Sequence, residues 1–523
     1  MSTLREPSLG PIIGHTTDRS CRIWIRGSDA GDSKSDLSES ARTIGVLTVS
    51  HIDGKKVDMD KRHVFYFRLH REFDRTGTFV LGEHHGFRAT KAPSNPRERR
   101  LKLQPDTEYT IQTGSLSVDD NTENDANMQS SNLTECLPAA HAWLKELDRL
   151  DPGRSQATFR TFPDSSTVSD ELRFLLGSCR YPGLAWKRKH SDRIFGPIYK
   201  EFQGPANKKK PRFTLMVGDQ IYADMFNRFI PLGLADTYEE FQERYHSAFG
   251  SSNMRRLLSN ATTYMILDDH EIEDNWSQDR MDGDDRGSKR RLFNIAIGAY
   301  ASYQWSHCSR TFGRRFYYDF ECGGYPFFVL DSRTQRFRDE EDIEDNHLLG
   351  RPSFAGDEPS QLESLCKWLA TMQKKRGNSP KFIVTSGVFV PNDVNGPRSA
   401  NKSEEKGEKA RFKSDSWPAF PTTREQLLDT IVSKNIQNVI FLSGDVHCAN
   451  VAEINFSGTS EAEALRSYSI TSSAFYWPFP FADGDPANFV HDSTDDDTPD
   501  TFKVNSKVNM DYKAWNFTQE DNY

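Results

Sequence analysis

FTLMVGDQIYAD, residues 213–224, begins as a buried strand would and then changes character. After the apolar run at 213–217 comes a glycine, and Asp219, Tyr222 and Asp224 follow within a few positions. A short apolar run bounded by a glycine is typical of a strand that is buried on both faces. Carboxylates directly after such a strand are the oxygen ligands that hard cations require. The stretch therefore predicts a strand of an α/β sheet that ends in a metal-binding loop.

Other apolar runs in the same part of the chain repeat this pattern and alternate with amphipathic helical segments. The runs are RFLLGS (173–178), TTYMIL (262–267), PFFVLD (326–331), KFIVTS (381–386) and NVIFLSG (438–444). Helical patterns fit between them at 192–202, 237–249, 359–375 and 423–434. Strands that alternate with helices indicate an α/β domain, which we place at residues 166–523.

The first 165 residues have a different texture, in which short apolar runs are separated by turn-forming residues. The runs are SCRIWIRG (20–27), ARTIGVLTVS (41–50), HVFYFRLH (63–70), GTFVLGE (77–83), DTEYTIQTGS (106–115) and ATFRTFP (157–163). Regular short strands predict a β-sandwich domain at residues 1–165. Within it, LQPDTEYTIQT (103–113) resembles the tyrosine corner of fibronectin-type domains. Polar stretches at 116–134 and 395–416 are predicted to be an insertion and a surface loop.

Composition excludes several classes of protein. The 523 residues carry a formal net charge of -9, which argues against binding to a phosphate backbone, so we expect no specific nucleic-acid binding. No run approaches the ~20 apolar residues of a membrane helix. The amino terminus lacks a basic region followed by an apolar core, and the seven cysteines show no CxxC spacing. We therefore expect a cytoplasmic location; export through a leader absent from this sequence is the alternative, and the oligomeric state stays open.

Several predicted strands of the α/β domain end in polar clusters, namely SCR (178–180), DQIYAD (219–224), DDHEIEDNW (268–276), DSRTQR (331–336) and DVH (445–447). In open α/β sheets ligands bind at the carboxyl ends of the strands, so these clusters are expected to converge. Each residue alone has an ordinary interpretation, such as a buried cysteine, a capping aspartate or a core tyrosine. Their repetition at strand ends favours a site instead. The aromatic run FYWPFPF (475–481) is a candidate wall of the cleft or simply packing.

At GSCR (177–180), GDQIYAD (218–224), DDHEIEDNW (268–276), LDSRTQR (330–336) and SGDVH (443–447), the sequence resembles the PhoD-like alkaline phosphatase family. The resemblance implies a four-layer αββα metallophosphatase sandwich, preceded by a fibronectin/Ig-like β-sandwich. It also implies a mixed centre of Fe³⁺ and Ca²⁺. GDQIY is similar to the GDxxY signature of purple acid phosphatases, whose aspartate bridges two metals and whose tyrosine binds iron.

Carried over to this sequence, the resemblance assigns a set of metal ligands. Asp219 would bridge the metals, and Tyr222, Cys179 and His447 would bind iron. The calcium ligands would be Asp445, Asp269 and Asn275, with Asp224 as a further candidate. The segment GVFVPND (387–393) lacks the histidine that many metallophosphatases carry there, and an oxygen-preferring second metal is consistent with that loss.

The function implied is that of a metal-dependent phosphoester hydrolase, in which water activated by the metals attacks phosphomonoesters and also phosphodiesters. We expect small phosphate esters as substrates. His270 is predicted to stabilise or protonate the leaving oxygen, or alternatively to orient Asp269. Arg333 and Arg180 would donate hydrogen bonds to phosphate oxygens, or alternatively neutralise neighbouring carboxylates. The other functions considered are a phosphodiesterase or phospholipase-like hydrolase and a non-catalytic binding module whose metals only hold its fold together.

Overall fold

The computed structural model of the chain describes residues 4–28, 42–83, 85–88, 98–118, 140–182, 189–204, 209–224, 233–283, 285–311, 315–339, 342–354, 358–391, 415–478 and 501–516. These residues form a mixed α/β architecture. The insertion and the surface loop predicted at 116–134 and 395–416 lie outside the described residues except at their ends. No helix in the described ranges has the length and apolar character that crossing a membrane requires.

The amino-terminal strands form two antiparallel sheets. In chain order they are β1 (Leu4–Arg5), β2 (Leu9–Thr16), β3 (Cys21–Arg26), β4 (Arg42–Ile52), β5 (Lys55–Lys56), β6 (His63–Leu69), β7 (Thr76–Leu81), β8 (His85–Arg88), β9 (Glu98–Arg100), β10 (Glu108–Val118) and β11 (Gln156–Arg160). One sheet has the order β1-β10-β4-β6-β8-β9, with β11 on β10 and β5 on β4, and the other has the order β2-β3-β7. The two sheets share one apolar cluster, in which Ile23 and Phe79 meet Leu47 and Phe65.

The predicted tyrosine corner is present as a hydrogen bond. The backbone N–H of Gln104 donates to the hydroxyl of Tyr109 at 2.8 Å. This bond fixes the start of β10, because Tyr109 belongs to the strand and Gln104 to the turn before it. The fibronectin-type topology of the whole amino-terminal region stays a prediction.

The remaining strands form two further sheets. They are β12 (Leu175–Arg180), β13 (Phe213–Val217), β14 (Thr262–Ile266), β15 (Tyr318–Cys322), β16 (Tyr325–Val329), β17 (Lys381–Val384), β18 (Val439–Ser443), β19 (Asn450–Ser457), β20 (Ser467–Thr471), β21 (Ala474–Tyr476), β22 (Phe502–Lys503) and β23 (Asn509–Asn516). One sheet is parallel with the order β14-β13-β12-β21. The other is mixed, with the order β15-β16-β17-β18-β20-β19-β23-β22. Each of the six strands predicted from apolar runs is present.

The helices are α1 (Ala140–Leu147), α2 (Pro152–Ser155), α3 (Phe195–Gln203), α4 (Tyr238–Phe249), α5 (Ser252–Leu258), α6 (Arg286–Tyr303), α7 (Gln361–Arg376), α8 (Pro421–Ser433) and α9 (Ser460–Glu463). Capping boxes begin α4 at Thr237 and α7 at Ser360. In each, the hydroxyl of the capping residue accepts a hydrogen bond from the backbone N–H three residues later, and the glutamate side chain at that position accepts one from the backbone N–H of the capping residue. The helical segments predicted after residue 190 are all present. The sequence interpretation missed α6, although it is the longest helix in the described ranges.

Two apolar clusters hold the α/β part together. One contains residues of the parallel sheet, such as Phe213, together with Phe327 and Leu442 of the mixed sheet, so the two sheets pack against each other. The second lies on the other face of the mixed sheet and contains Trp368 of α7 and Leu427 of α8. The candidate site lies at the carboxyl ends of the parallel strands. The αββα order of the layers stays a prediction.

Candidate metal centre

Backbone hydrogen bonds join the end of β12 to the residues directly after β13. The backbone N–H of Cys179 donates to the carbonyl of Gly218 at 3.1 Å, and that of Arg180 donates to the carbonyl of Asp219 at 2.8 Å. The side chains of these segments also meet, because Oδ2 of Asp219 lies 3.3 Å from the sulfur of Cys179 and 3.4 Å from the hydroxyl of Tyr222. A thiol, a carboxylate and a phenol from two strand ends therefore meet at one point.

The loop after β18 completes this group. Nε2 of His447 lies 3.5 Å from the hydroxyl of Tyr222, and the carbonyl oxygen of Asp445 lies 3.5 Å from the sulfur of Cys179. Burial lowers the pKa of His447 to about 3, which keeps its imidazole neutral and able to bind a cation. The structure thus brings Cys179, Asp219, Tyr222, Asp445 and His447 together, from three separate segments of the chain.

Four carboxylates form an acidic cluster beside this group. One oxygen each of Asp219, Asp268, Asp269 and Asp445 lies within 4.8 Å of the others. Burial, followed by the charges of the neighbouring carboxylates, raises the pKa of Asp445 well above its ordinary value. Burial also raises the pKa of Asp268, to about 6, although the charge of Arg333 opposes the shift. Acids that repel one another in a dry site need a cation, and in this respect the cluster fits metal ions.

Three buried atoms of these residues have no hydrogen-bond partner among the described residues: Oδ1 of Asp219, Oδ2 of Asp268 and Nδ1 of His447. Buried polar atoms are nearly always satisfied, and a bound cation would satisfy the two carboxylate oxygens among these atoms. Burial also raises the pKa of Cys179 and Tyr222 well above their ordinary values. A multivalent cation reverses that shift, because it binds the thiolate and the phenolate. The residues present therefore fit a metal centre.

His270 lies at the edge of the cluster and is held by Asp224. Nδ1 of His270 is 2.7 Å from one oxygen of Asp224, whose other oxygen accepts from the backbone N–H of Asp274 at 2.7 Å. The imidazole ring packs on the ring of Tyr222 at 4.2 Å between centroids. One of its nitrogens also lies within 4.8 Å of oxygens of Asp219 and Asp269.

Two predicted calcium ligands form hydrogen bonds with neighbouring residues. Both oxygens of Asp224 are used by His270 and Asp274, and Asp224 lies outside the groups of converging ligand atoms within the described ranges. Asn275 donates its backbone N–H to Oδ2 of Asp269 at 2.6 Å, while its side-chain amide donates to Asp274. The position of Asp224 does not bring it into the acidic cluster, and it holds His270 instead. The ligand role of Asn275 stays a prediction.

Comparisons with known proteins agree with this geometry. A family model described as PhoD-like phosphatase matches residues 186–512. The chain belongs to the PhoD-like phosphatase family. Alkaline phosphatase D of Bacillus subtilis (strain 168) is 22% identical to it over 346 residues, which cover 61% of this chain and 56% of that protein. A solved structure described as "Structure of PhoD" has a TM-score of 0.59 at 15% identity and covers 90% of this chain and 78% of that one.

The resemblance predicted from the motifs is therefore confirmed at the level of the PhoD-like phosphatase family. The family match contains Asp219, Tyr222, the DDHE turn, Asp445 and His447. The matched range begins after Cys179 and Arg180, so only the geometry bears on the roles of those two residues. The match to the solved structure supports the fold.

The two arginines that were predicted to bind phosphate differ in position. Arg333 is 1% exposed, and its Nε donates to Asp268 at 2.5 Å while its Nη2 lies 2.7 Å from Asp415 and 3.6 Å from Asp269. Its Nη1 is buried without a partner in the described part of the chain. Arg333 therefore neutralises carboxylates of the PhoD-like site, which was the alternative considered.

Arg180 points away from the cluster. Its side chain lies among residues of another segment than the one that carries the metal ligands. The guanidinium of Arg180 donates to the hydroxyl of Ser251 at 3.1 Å and lies 5.6 Å from the ring of Phe195. Its role as a phosphate ligand, predicted from adjacency in sequence, has no support in this position.

The sequence interpretation missed other members of the site. Asp268 immediately precedes the chosen Asp269, and the adjacent acids of DDHE were the available signal. Trp477 follows β21, which pairs with β12, and its indole stacks on the imidazole of His447 at 3.8 Å between centroids and 18° between planes. The aromatic run at 475–481 thus contributes to the site through Trp477, while residues 479–481 lie outside the described residues. Asp415 pairs with both Arg333 and Arg336.

Proposed function

We propose that this chain is a metal-dependent phosphoester hydrolase that acts on small phosphate esters. The observation that supports this proposal most directly is the set of buried atoms without partners on Asp219, Asp268 and His447, beside the sulfur of Cys179 and the phenol of Tyr222. A metal site that only stabilised the fold would be closed by its ligands and would need no further histidine beside them, such as His270. Membership of the PhoD-like phosphatase family supports the same reaction class.

In the proposed site, Cys179, Tyr222 and His447 would hold Fe³⁺, Asp269 and Asp445 would hold Ca²⁺, Asp219 would serve as a ligand of both, and Asp268 is an added candidate. Bound metals would supply activated water and neutralise the charge of the ester. Arg333 keeps Asp268 and Asp269 oriented through its hydrogen bond and ion pair. His270, charged by its pairing with Asp224, stabilises the leaving oxygen.

We further propose that the described sheets follow the four-layer αββα arrangement, with an amino-terminal β-sandwich at residues 1–165 and the catalytic domain at 166–523. The shared apolar cluster between the parallel and mixed sheets supports the central two layers. The cluster shared by the two amino-terminal sheets supports the sandwich. An experimental structure in which these sheets do not face each other would contradict both parts.

Metal removal tests the proposed function. Purified protein should contain iron and calcium by elemental analysis and should show a visible absorption band from phenolate bound to iron. Chelation should abolish hydrolysis of p-nitrophenyl phosphate and of bis(p-nitrophenyl) phosphate, and re-addition of Fe³⁺ and Ca²⁺ should restore it. The ratio of monoester to diester turnover separates a monoesterase from a phosphodiesterase. A colourless protein that keeps full activity after chelation overturns the proposal.

A further inference from the structure

Glu271 is a fully buried carboxylate that accepts hydrogen bonds from two loops of the candidate metal centre. Its Oε2 accepts from the backbone N–H groups of Asp219 at 3.1 Å and Asp268 at 2.9 Å. Its Oε1 accepts from the backbone N–H of Gln220 at 2.6 Å and from the side-chain amide of Gln304 at 3.0 Å. The side chain has no exposed surface, and it forms no ion pair with any described residue.

These bonds join the ends of two neighbouring strands. Asp219 and Gln220 follow β13, whereas Asp268 follows β14, and the two strands pair in parallel. The loop after β13 leaves the ladder at this point, because Gly218 and Asp219 have left-handed backbone conformations. Past the ladder, a backbone hydrogen bond from Ala223 to the carbonyl of His270 at 2.8 Å also joins the two loops. The carboxylate of Glu271 bridges their backbones nearest to the strand ends, at Asp219 and Asp268. It therefore sets the distance between two members of the acidic cluster, Asp219 and Asp268.

A helix end holds Glu271 in turn. Gln304, directly after α6, donates from Nε2 to Glu271 and to the hydroxyl of Tyr245 in α4 at 3.1 Å. Gln304 is itself fully buried. The carboxylate is thus held between two metal-binding loops on one side and two helices on the other.

Glu273, two residues later in the same turn, shows what a carboxylate with a purely structural role looks like here. It is 2% exposed and pairs with Lys289 at 2.6 Å and Arg280 at 3.2 Å. These partners join the turn to α6 and to the segment before it. Among the described residues, the carboxylate of Glu273 bonds to no candidate ligand of the metals; its backbone N–H donates to the carbonyl of Asp269 at 2.7 Å, a bond that a change of the side chain leaves in place.

We propose that Glu271 is a positioning residue of the metal centre, which holds the loop of Asp219 and the loop of Asp268 at the separation that the metals require. Burying a carboxylate without an ion pair is costly, so four directed hydrogen bonds to one carboxylate indicate a requirement for geometry. The inference rests on the metal centre of the proposed function. It adds a residue that contacts neither metal nor substrate.

The test compares Glu271→Gln with Glu273→Gln as the matched buried control. For each chain we would measure the uptake of added Fe³⁺ and Ca²⁺ by competition with a chelator, and the thermal midpoint of the metal-free form. Glu271→Gln should weaken metal binding by about 10- to 100-fold, the usual range for residues that orient ligands. Glu273→Gln should lower the thermal midpoint but leave metal affinity within about threefold of wild type.

Gln304→Met supplies a second variant that leaves the carboxylate in place. It removes one hydrogen bond to Glu271 without adding a charge, and we expect a smaller loss of metal affinity with the iron absorption band displaced. If Glu271→Gln does not fold, this variant decides, and unchanged affinity and spectrum overturn the proposal. The proposal is also overturned if Glu271→Gln and Glu273→Gln lose metal affinity to the same extent, each in proportion to its loss of stability. If the wild-type protein takes up no metal, the proposed function itself is overturned. The wild-type measurement alone therefore distinguishes failure of the proposed function from failure of the role of Glu271.

Discussion

At the scale of single residues, the candidate ligands lie in strained backbone conformations. Positive φ angles occur at Cys179 (48°), Asp219 (57°), Asn275 (57°), Asp445 (71°) and His447 (57°). Asparagine, aspartate and histidine visit this region more readily than other residues, but cysteine rarely does. Each such residue costs about 1 to 3 kcal/mol and persists where the surroundings require its direction. The strain at Cys179 thus supports its place in the site independently of the family match, which begins after it.

Removal of the imidazole of His270 tests its proposed catalytic role. His270→Ala should lower kcat by about 10²- to 10⁴-fold, because the group that stabilises the leaving oxygen is lost. Metal content should be retained, because the proposed role of His270 is at the leaving oxygen and the metal ligands are other residues. Asp224→Asn should also lower kcat, because Asp224 holds the imidazole of His270. The control is His347→Ala, which breaks a similar pair with Asp345 outside the site and should leave kcat unchanged. Loss of metal in His270→Ala would identify His270 as a ligand instead.

At the scale of helices and strands, the sequence predicted what depends on local apolar pattern. The run at 213–217 could be recognised because each of its residues is buried in β13. Helix α6 was missed because its buried face includes small residues such as Ala296 and Ala299, and its first turn carries exposed basic residues that hide the periodicity. Its buried positions do recur at helical spacing, so the signal was present.

The candidate site could be predicted in part for a related reason. Residues directly after strands, such as Asp219 and His447, follow from the rule that strand ends converge. Arg180 was placed in the site because it adjoins Cys179, whereas its guanidinium donates to Ser251 in another segment. Trp477 and Asp415 reach the site through long-range pairing, which single-sequence patterns do not encode.

A close approach between two strand ends also explains a glycine of the GDQIY motif. Gly218 has φ +99°, and a Cβ added to it would lie 2.4 Å from Cβ of Asp268. Gly218→Ala should therefore destabilise the fold by about 1 to 3 kcal/mol through overpacking, beyond the conformational cost of alanine at positive φ. The variant should also bind metal more weakly, because Asp268 must move.

Gly54→Ala is the control for this variant. Gly54 has φ +72° in a turn, and nothing lies within 4 Å of an added Cβ, so it reports the conformational cost alone. Thermal unfolding of both variants, with metal uptake, separates the two effects. Equal losses of stability in the two variants would show that the contact with Asp268 is unimportant.

At the scale of the whole molecule, the amino-terminal strands pack into the α/β core. Leu9, Ile12 and Trp24 belong to the same apolar cluster as Phe213. The indole N–H of Trp24 also donates to the carbonyl of Ser302 in α6 at 2.8 Å. A shared core predicts that the two parts unfold in one cooperative transition.

Asp74 is the main polar link between the two parts. It accepts from Arg26 at 2.7 and 2.8 Å, lies 2.8 Å from Nε2 of His246 in α4, and accepts from the hydroxyl of Tyr303 in α6. Burial raises the pKa of Asp74. The hydrogen bonds from His246 and Arg26, together with the charge of Arg26, lower the pKa by more than burial raises it, so the pKa lies well below its ordinary value. Breaking a buried pair by removing one partner costs about 3 to 5 kcal/mol. Asp74→Asn should therefore destabilise the whole chain at neutral pH.

The pH dependence of this loss follows from the sign of the shift. A carboxyl whose pKa is depressed on folding stabilises the fold above its unfolded pKa of about 4, and this contribution disappears as pH falls through the folded pKa. The stability gap between wild type and Asp74→Asn, measured by denaturant unfolding, should therefore be constant from about pH 5 to 8 and narrow below about pH 4. Asp58→Asn, which breaks an exposed pair with Lys61, should change stability little at any pH. A gap that widens on acidification would contradict the assignment of Asp74 as the ionised link that joins the amino-terminal strands to the helices beside the metal centre.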